Sequence, residues 1–395
     1  MTPLAPKALP YGRQLIEDDD VEAVVAALRS DWLAHGPRVT AFEQAFATAT
    51  TAKAAVACSS GTTALHLALA GLDVGPGDLC IVPAITFLST ATAALLCGAE
   101  VAFADVDPDT GLMTPQTLAA AMAGRRVRAV LPVHLGGRLC DMPGLSAMAR
   151  AAGALVIEDA AHAVGGVDGA GVPVGACARS DAACFSLHPV KTLAAGEGGM
   201  VTLNDPERAA RLRRLRNHGV THDAAMMTEP DSLDDAGVRK PWVYEQMELG
   251  WNYRMDEMSA ALGLSQIGKL QRFVDRRTAL ADLYDEALAP FAPLVRTLPC
   301  GPGRPALHLY QVRVDFEAAG VPRETVMRRM AEGGVNTQVH YIPLNRQPVF
   351  KRRYGETRLP GAEAFYAQVL ALPLFPAMTD GDVERVVEAL TAALG

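Results

Sequence analysis

Between residues 54 and 203 the chain keeps returning to short, largely apolar runs, and this recurrence constrains its fold more than any other feature. The runs are 54–58, 79–83, 101–106, 129–134, 154–159, 181–185 and 200–203. A strand with one solvated face alternates apolar and polar residues; these barely alternate, so both of their faces are predicted to be covered. Helical stretches separate most of them, for example 64–70, 145–151 and a small-residue run from 84 to 96. Short buried strands alternating with helices predict an α/β fold with a parallel sheet clad on both sides.

The remainder of the chain fits around that sheet. Residues 1–12 are Pro-rich and are expected to lie extended on the surface, followed by helices over 18–28 and 39–49. A polar, acidic segment at 222–240 reads as a mobile surface loop, and either a substrate cover or a plain solvated loop fits it. A helix over 255–272 is expected to start the crossover into a smaller α+β domain with strands at 309–314 and 335–341 and a helix at 323–331. The expected division is 1–255 for the large domain and 256–395 for the small one. With 395 residues, half of them hydrophobic, the chain can supply cores for both.

Charge and cysteine usage exclude several functions. A net charge of −8 argues against nucleic acid as a partner, and the densest basic run, 211–216, reads as the solvated face of a helix. Seven scattered cysteines without a C-x-x-C pair read as free, mostly buried thiols, with no metal site. The N-terminus has no secretion-signal pattern, and no uninterrupted apolar run reaches the ~18 residues of a membrane span. A soluble cytoplasmic enzyme is the expectation.

Three places carry chemistry. The first run ends in Ser59-Ser60-Gly61-Thr62-Thr63 before a helix, where free backbone N–H groups and hydroxyls can cradle a phosphate. The same hydroxyls also serve as ordinary helix caps. Asp159 ends an apolar strand, where ligands of open α/β sheets bind, and His162 follows three residues later. Lys191 sits in a loop hemmed by Pro189, Val190, Leu193 and two alanines. Partial desolvation lowers an amine's pKa and lets it attack a carbonyl, although an exposed loop lysine fits this stretch alone as well. Together the three match what pyridoxal 5′-phosphate requires: a lysine for its aldehyde, a carboxylate for its pyridine nitrogen and an anion cradle. Phe87 is a candidate to cover a planar ring, and no G-x-G-x-x-G follows a strand, which argues against a nicotinamide enzyme.

Glu158-Asp159-Ala160-Ala161-His162, Phe185-Ser186-Leu187-His188-Pro189-Val190-Lys191 with Glu197-Gly198-Gly199, and Gly250-Trp251-Asn252-Tyr253-Arg254 resemble the DegT/DnrJ/EryC1/StrS sugar-nucleotide aminotransferases. The resemblance runs from about Leu15 to the C-terminal helix. It implies the PLP-dependent transferase fold type I, Lys191 as Schiff-base and proton-shuttle residue, Asp159 on the pyridine nitrogen and His162 near the ring. It also implies that Gly61, Thr62, Thr63 and Ser186 hold the phosphate, that Phe87 packs on the ring, and that Asn252 reaches in from the neighbouring subunit of a homodimer. Lysine rather than histidine at 191 points to transamination rather than dehydration. Within the family, 188–191, 216–221 and 338–343 resemble the transaminases of pseudaminic acid synthesis. These move an amine from L-glutamate to C4 of a UDP-4-keto-6-deoxy-N-acetylhexosamine. His188, Arg254, His340 and Tyr341 are the candidate substrate contacts, whereas Leu344-Asn345 departs from the pattern. A GDP- or dTDP-linked sugar, amination at C3, another PLP reaction on a sugar, and a non-catalytic regulatory protein are the alternatives.

Overall fold

The structure, a computed structural model, describes residues 8–395, so residues 1–7 of the expected extended arm lie outside the described residues. Leu9 is not on the surface: it is buried in the C-terminal core and bridges Val335. Helices α1 (Asp18–Leu28) and α2 (Pro37–Thr50) lead into strand β1 (Ala54–Cys58). Then α3 (Gly61–Gly71), β2 (Leu79–Pro83), α4 (Leu88–Leu96), β3 (Glu100–Ala104), α5 (Pro115–Met122), β4 (Ala129–Val130), α6 (Met142–Ala151) and β5 (Leu155–Asp159) alternate. A short β6 (Val167–Asp168) precedes β7 (Ala182–Ser186), β8 (Gly199–Leu203) and α7 (Pro206–Leu215).

The large sheet has the order β1-β8-β7-β5-β4-β2-β3. Strands β7, β5, β4, β2 and β3 are parallel, and β8 runs against both its neighbours. Alternate side chains enter different cores: Val56 and Cys58 pack on one face, Ala55 and Ala57 on the other. Coverage of both faces is the reason these runs do not alternate in polarity. The fourth strand is shorter than expected because Pro132 has no N–H for the ladder; its carbonyl still accepts from the Asp159 N–H at 2.8 Å.

The basic run on and after α7 is not a solvated face. As the edge strand, β1 has unpaired ladder groups, which are costly unless satisfied. Buried Glu43 accepts the Ala57 N–H at 3.0 Å, while Arg213 donates to the Ala55 carbonyl at 3.0 Å and Arg216 to that of Ala57 at 2.6 Å. Both arginines also pair with Glu43. Strand β1 is thereby fixed just before the 59–63 turn.

Past α7, a two-residue ribbon of β9 (Val220–Thr221) and β10 (Glu245–Gln246) flanks the acidic segment. That segment is organised around the Glu245 carboxylate, which accepts from Thr228, Glu229 and Ser232. The helix expected over 255–272 is two, α8 (Glu257–Ile267) and α9 (Leu270–Leu288). The C-terminal unit adds β11 (Val295–Thr297), β12 (Gly303–Arg304), β13 (Tyr310–Val314), α10 (Arg323–Glu332), α11 (Pro348–Tyr354), α12 (Pro360–Gln368), β14 (Val369–Leu372) and α13 (Asp380–Leu394). Its sheet is antiparallel, β11-β13-β14. The strand expected over 335–341 is instead an extended connector held by single bridges from Val335 to Leu9 and from Gln338 to Ala371.

Helix α9 packs against two cores in succession. Phe273 and Val274 pack in the core that contains Phe42, Phe46 and Phe185, whereas Leu280, Tyr284 and Leu288 belong to the C-terminal core. Phe350 and Phe365 then return to the large-sheet core.

Gly199 is required by close approach: a Cβ there would lie 2.1 Å from the Ser60 carbonyl oxygen. Gly199→Ala is expected to cost about 1–3 kcal/mol of stability, the usual penalty of overpacking, measured as a lower urea midpoint. Because the displaced group is the 59–61 turn, cofactor affinity should fall in the same variant.

Candidate active site

A cavity of about 570 Å³ opens beyond the carboxyl ends of the parallel strands, between the large sheet and the 338–342 connector. Asp159 is among its lining residues. Strand β5 lies at the centre of the sheet, and its last residue is registered against Cys184 of β7 and bridged to Val133. The carboxylate is 5 % exposed; Oδ2 accepts from Thr90 Oγ1 at 2.7 Å and Oδ1 from the Ala161 N–H at 3.2 Å. Burial pushes its pKa up, opposed by these hydrogen bonds and by the charges of Lys191 and His134.

Lys191 lies in the loop that joins antiparallel β7 and β8. Leu187 N–H donates to Gly198 O and Ala195 N–H to Leu187 O, both across the loop, and Leu187, Leu193 and Ala195 are buried. The amine projects into the cavity, where desolvation lowers its pKa to about 8 against the pull of Asp159.

His162 is buried, and its Nδ1 accepts the Gly136 N–H at 3.1 Å. The ring is consequently neutral with its proton on Nε2, which faces Tyr341 Oη at 3.3 Å. Burial and the charge of Lys191 hold its pKa well below the usual histidine range. His340 is pushed down to about 3 for the same two reasons.

At the 59–63 turn the two sequence readings divide between neighbouring residues. Ser60 caps α3 by accepting the Thr63 N–H at 3.2 Å, and the Thr63 hydroxyl turns back to the Ser60 carbonyl at 2.9 Å. Thr63 lies outside the cavity lining, while Ser60, Gly61, Thr62 and Ser186 are part of it. A Cβ on Gly61 would stand 2.7 Å from that of Ser186, so only glycine lets α3 approach β7. Phe87 caps α4, is 52 % exposed towards the cavity, and pairs with the Tyr341 ring at 5.8 Å.

His188, His340 and Tyr341 also line the cavity; Asn252 and Arg254 do not. Asn252 is bridged to Asn217, whose side chain accepts from Arg254 at 2.7 Å. No residue from 222–240 reaches the cavity lining. Leu344 and Asn345, where the sequence departs from the resemblance, are buried behind it. Sequence reasoning missed Tyr11, Thr86, Ser89 and Thr90, and Gln338 was noted only as part of the 338–343 motif. Only the pair Thr86 and Thr90 carried a signal, two hydroxyls four residues apart beside Phe87.

The residues present fit pyridoxal 5′-phosphate. A buried carboxylate suits the pyridine nitrogen, a low-pKa amine the aldehyde, and the α3 N-terminus with Thr62 and Ser186 the phosphate. With its pKa lowered to about 8, Lys191 has about one tenth of its amine free at pH 7 and about one hundredth at pH 6. Capture of the cofactor by apoprotein, trapped with borohydride, should therefore speed up about tenfold per pH unit from 6 to near 8 and level off above. An unperturbed lysine would keep accelerating beyond pH 10. Asp159→Asn should move the plateau to lower pH, since Asp159 raises the amine's pKa.

The DegT/DnrJ/EryC1/StrS aminotransferase family matches residues 14–391. The spore coat polysaccharide biosynthesis protein SpsC of Bacillus subtilis is 38 % identical over 385 residues, covering 97 % of this chain and 96 % of that protein. Among solved structures, Helicobacter pylori PseC superposes with a TM-score of 0.90 at 24 % identity over 98 % of this chain and 99 % of its own, a likeness of fold. The sugar aminotransferase Spr1654 of Streptococcus pneumoniae, solved in PLP and PMP forms, gives 0.86 for each. It is 27 % identical in the PLP form, with 98 % of both chains covered. Family and fold agree with the expected fold type I and with pyridoxal 5′-phosphate as cofactor. The chain belongs to the DegT/DnrJ/EryC1/StrS aminotransferase family and is a PLP-dependent sugar aminotransferase.

Proposed function

We propose that the enzyme moves the amino group of L-glutamate to C4 of a UDP-linked 4-keto-6-deoxy-N-acetylhexosamine, for a surface or flagellar glycan. The observation that carries the amine chemistry is the placement of Lys191 opposite Asp159 in one cavity, with the lysine's pKa near neutrality. Its likeness to SpsC supports a role in polysaccharide biosynthesis, and the motifs at 188–191 and 338–343 support the UDP-linked sugar.

When bound, the cofactor supplies an electron sink for the carbon that loses a proton. Lys191 Nζ is the group placed to take that proton and return it at the other end of the moving C–N unit. Thr90, Ala161 and Lys191 oppose the upward pull of burial on Asp159, whose carboxylate would pair with the cofactor's ring nitrogen. His162 and Tyr341, both without charge, shape the wall without competing as bases.

Among the described residues lining the cavity, Lys191 is the single lysine or arginine, beside two acids, Asp159 and Glu197. A dicarboxylate donor and a nucleotide diphosphate require more positive charge than that. We infer that a second copy supplies Asn252 and Arg254, giving a homodimer with shared sites. Offered UDP-, GDP- and dTDP-linked keto sugars with glutamate, the enzyme should aminate the UDP substrate at C4. Use of another nucleotide, with the UDP sugar untouched, would overturn the substrate reading. Lys191→Ala should lose at least about 10²–10⁴-fold in turnover, the span of a lost general base. Mixing inactive Lys191→Ala and Asn252→Ala chains should restore about a quarter of wild-type activity, because half of randomly re-formed two-fold dimers carry one intact site. No recovery, with subunit exchange verified, would rule out the shared site.

A further inference from the structure

Beside Asp159, two threonines at the α4 entry form a buried chain of hydroxyls. Thr90 is 0 % exposed and Thr86 1 % exposed. Thr90 Oγ1 lies 2.7 Å from Asp159 Oδ2, and Thr86 Oγ1 lies 2.7 Å from Thr90 Oγ1. Proton counting fixes the direction. An ionised carboxylate only accepts, so the single hydroxyl proton of Thr90 goes to Oδ2. Thr90 Oγ1 must then accept from Thr86, whose own proton is used there. The chain reads Thr86 to Thr90 to Asp159, and every hydroxyl proton in it points towards the carboxylate.

The consequence for Asp159 is geometric. Oδ2 is engaged by Thr90, and Oδ1 accepts the Ala161 N–H and keeps a second lone pair. We infer that Thr90, oriented by Thr86, is a positioning residue that keeps the Asp159 carboxylate ionised and turns Oδ1 towards the ring nitrogen of the cofactor. The inference rests on the reading of Asp159 as that nitrogen's partner and is independent of which sugar is used.

The other charged or titratable groups that face Asp159 come from different elements. They are Lys191 in the β7–β8 loop, His134 after β4, Cys184 on β7, and Tyr341 on the 335–341 connector. Helix α4 contributes hydroxyls alone, so a substitution at Thr90 changes the hydrogen bond and none of these charges. Valine is isosteric with threonine and keeps the packing of this fully buried position. Loss of a hydrogen bond to a charged group is expected to weaken a buried site by about tenfold or more.

The test uses two readouts besides activity, the dissociation constant for pyridoxal 5′-phosphate and the ¹³C titration of the Asp159 carboxyl in apoprotein. Thr90→Val should weaken cofactor binding about tenfold or more and raise the carboxyl midpoint by about one pH unit, because the bond that stabilised the charged form is gone. Thr90→Ser should restore both. Thr86→Val should shift both in the same direction by less, since Thr90 keeps its donor and loses only the group that orients it. Thr90→Val or Thr86→Val with a native circular dichroism spectrum and neither readout changed would refute the positioning role. An Asp159→Asn protein that binds the cofactor as tightly as wild type would instead refute the pairing of Asp159 with the ring.

Discussion

A carboxylate and an amine share one poorly hydrated cavity, and the surrounding structure is arranged around the cost of placing them there. Burial alone would neutralise both, lifting the Asp159 pKa and lowering that of Lys191. Each moderates the shift of the other by its charge, and hydrogen bonds to Asp159 act in the same sense as the charge of Lys191. The balance leaves a carboxyl raised less than burial alone would raise it and an amine lowered to about 8.

Holding that balance requires a fixed distance between the central strand β5 and the loop that leaves its neighbour β7. Strand β5 is immobilised by parallel neighbours on both sides, and the β7–β8 loop is closed by its own cross-loop hydrogen bonds. The phosphate-cradle turn hangs from β1, at the sheet edge, where strands are least constrained. Glu43, Arg213 and Arg216 replace the missing neighbour strand there. A run of arginines that looks like surface in the sequence is thus part of the site's support.

How much was legible depended on whether the signal was local. The strands, α1 to α3, and the roles suited to Asp159 and Lys191 follow from apolar runs and from residues next to each other in the chain. The 59–63 turn was only half legible, because nothing local says that the Thr63 hydroxyl folds back to cap α3 while Thr62 stays in the cavity. The 335–341 stretch has strand composition, yet its partners are single residues, Leu9 and Ala371, from distant parts of the chain. That one continuous amphipathic helix, α9, packs against two cores in succession was hidden for the same reason.

The sequence by itself determined the α/β class, the cofactor chemistry and the family, because each is written in short contiguous motifs whose residue types the chemistry demands. Only the tertiary structure decided which hydroxyls face the cavity, that His162 is neutral, and that Thr86 and Thr90 are hydrogen-bonded in series to Asp159. It also showed that, among the described residues, one chain lines the cavity with a single lysine or arginine. These depend on distances between residues tens to hundreds of positions apart. Hydrogen-bond direction and desolvation are set by such distances and by burial, which no local pattern records.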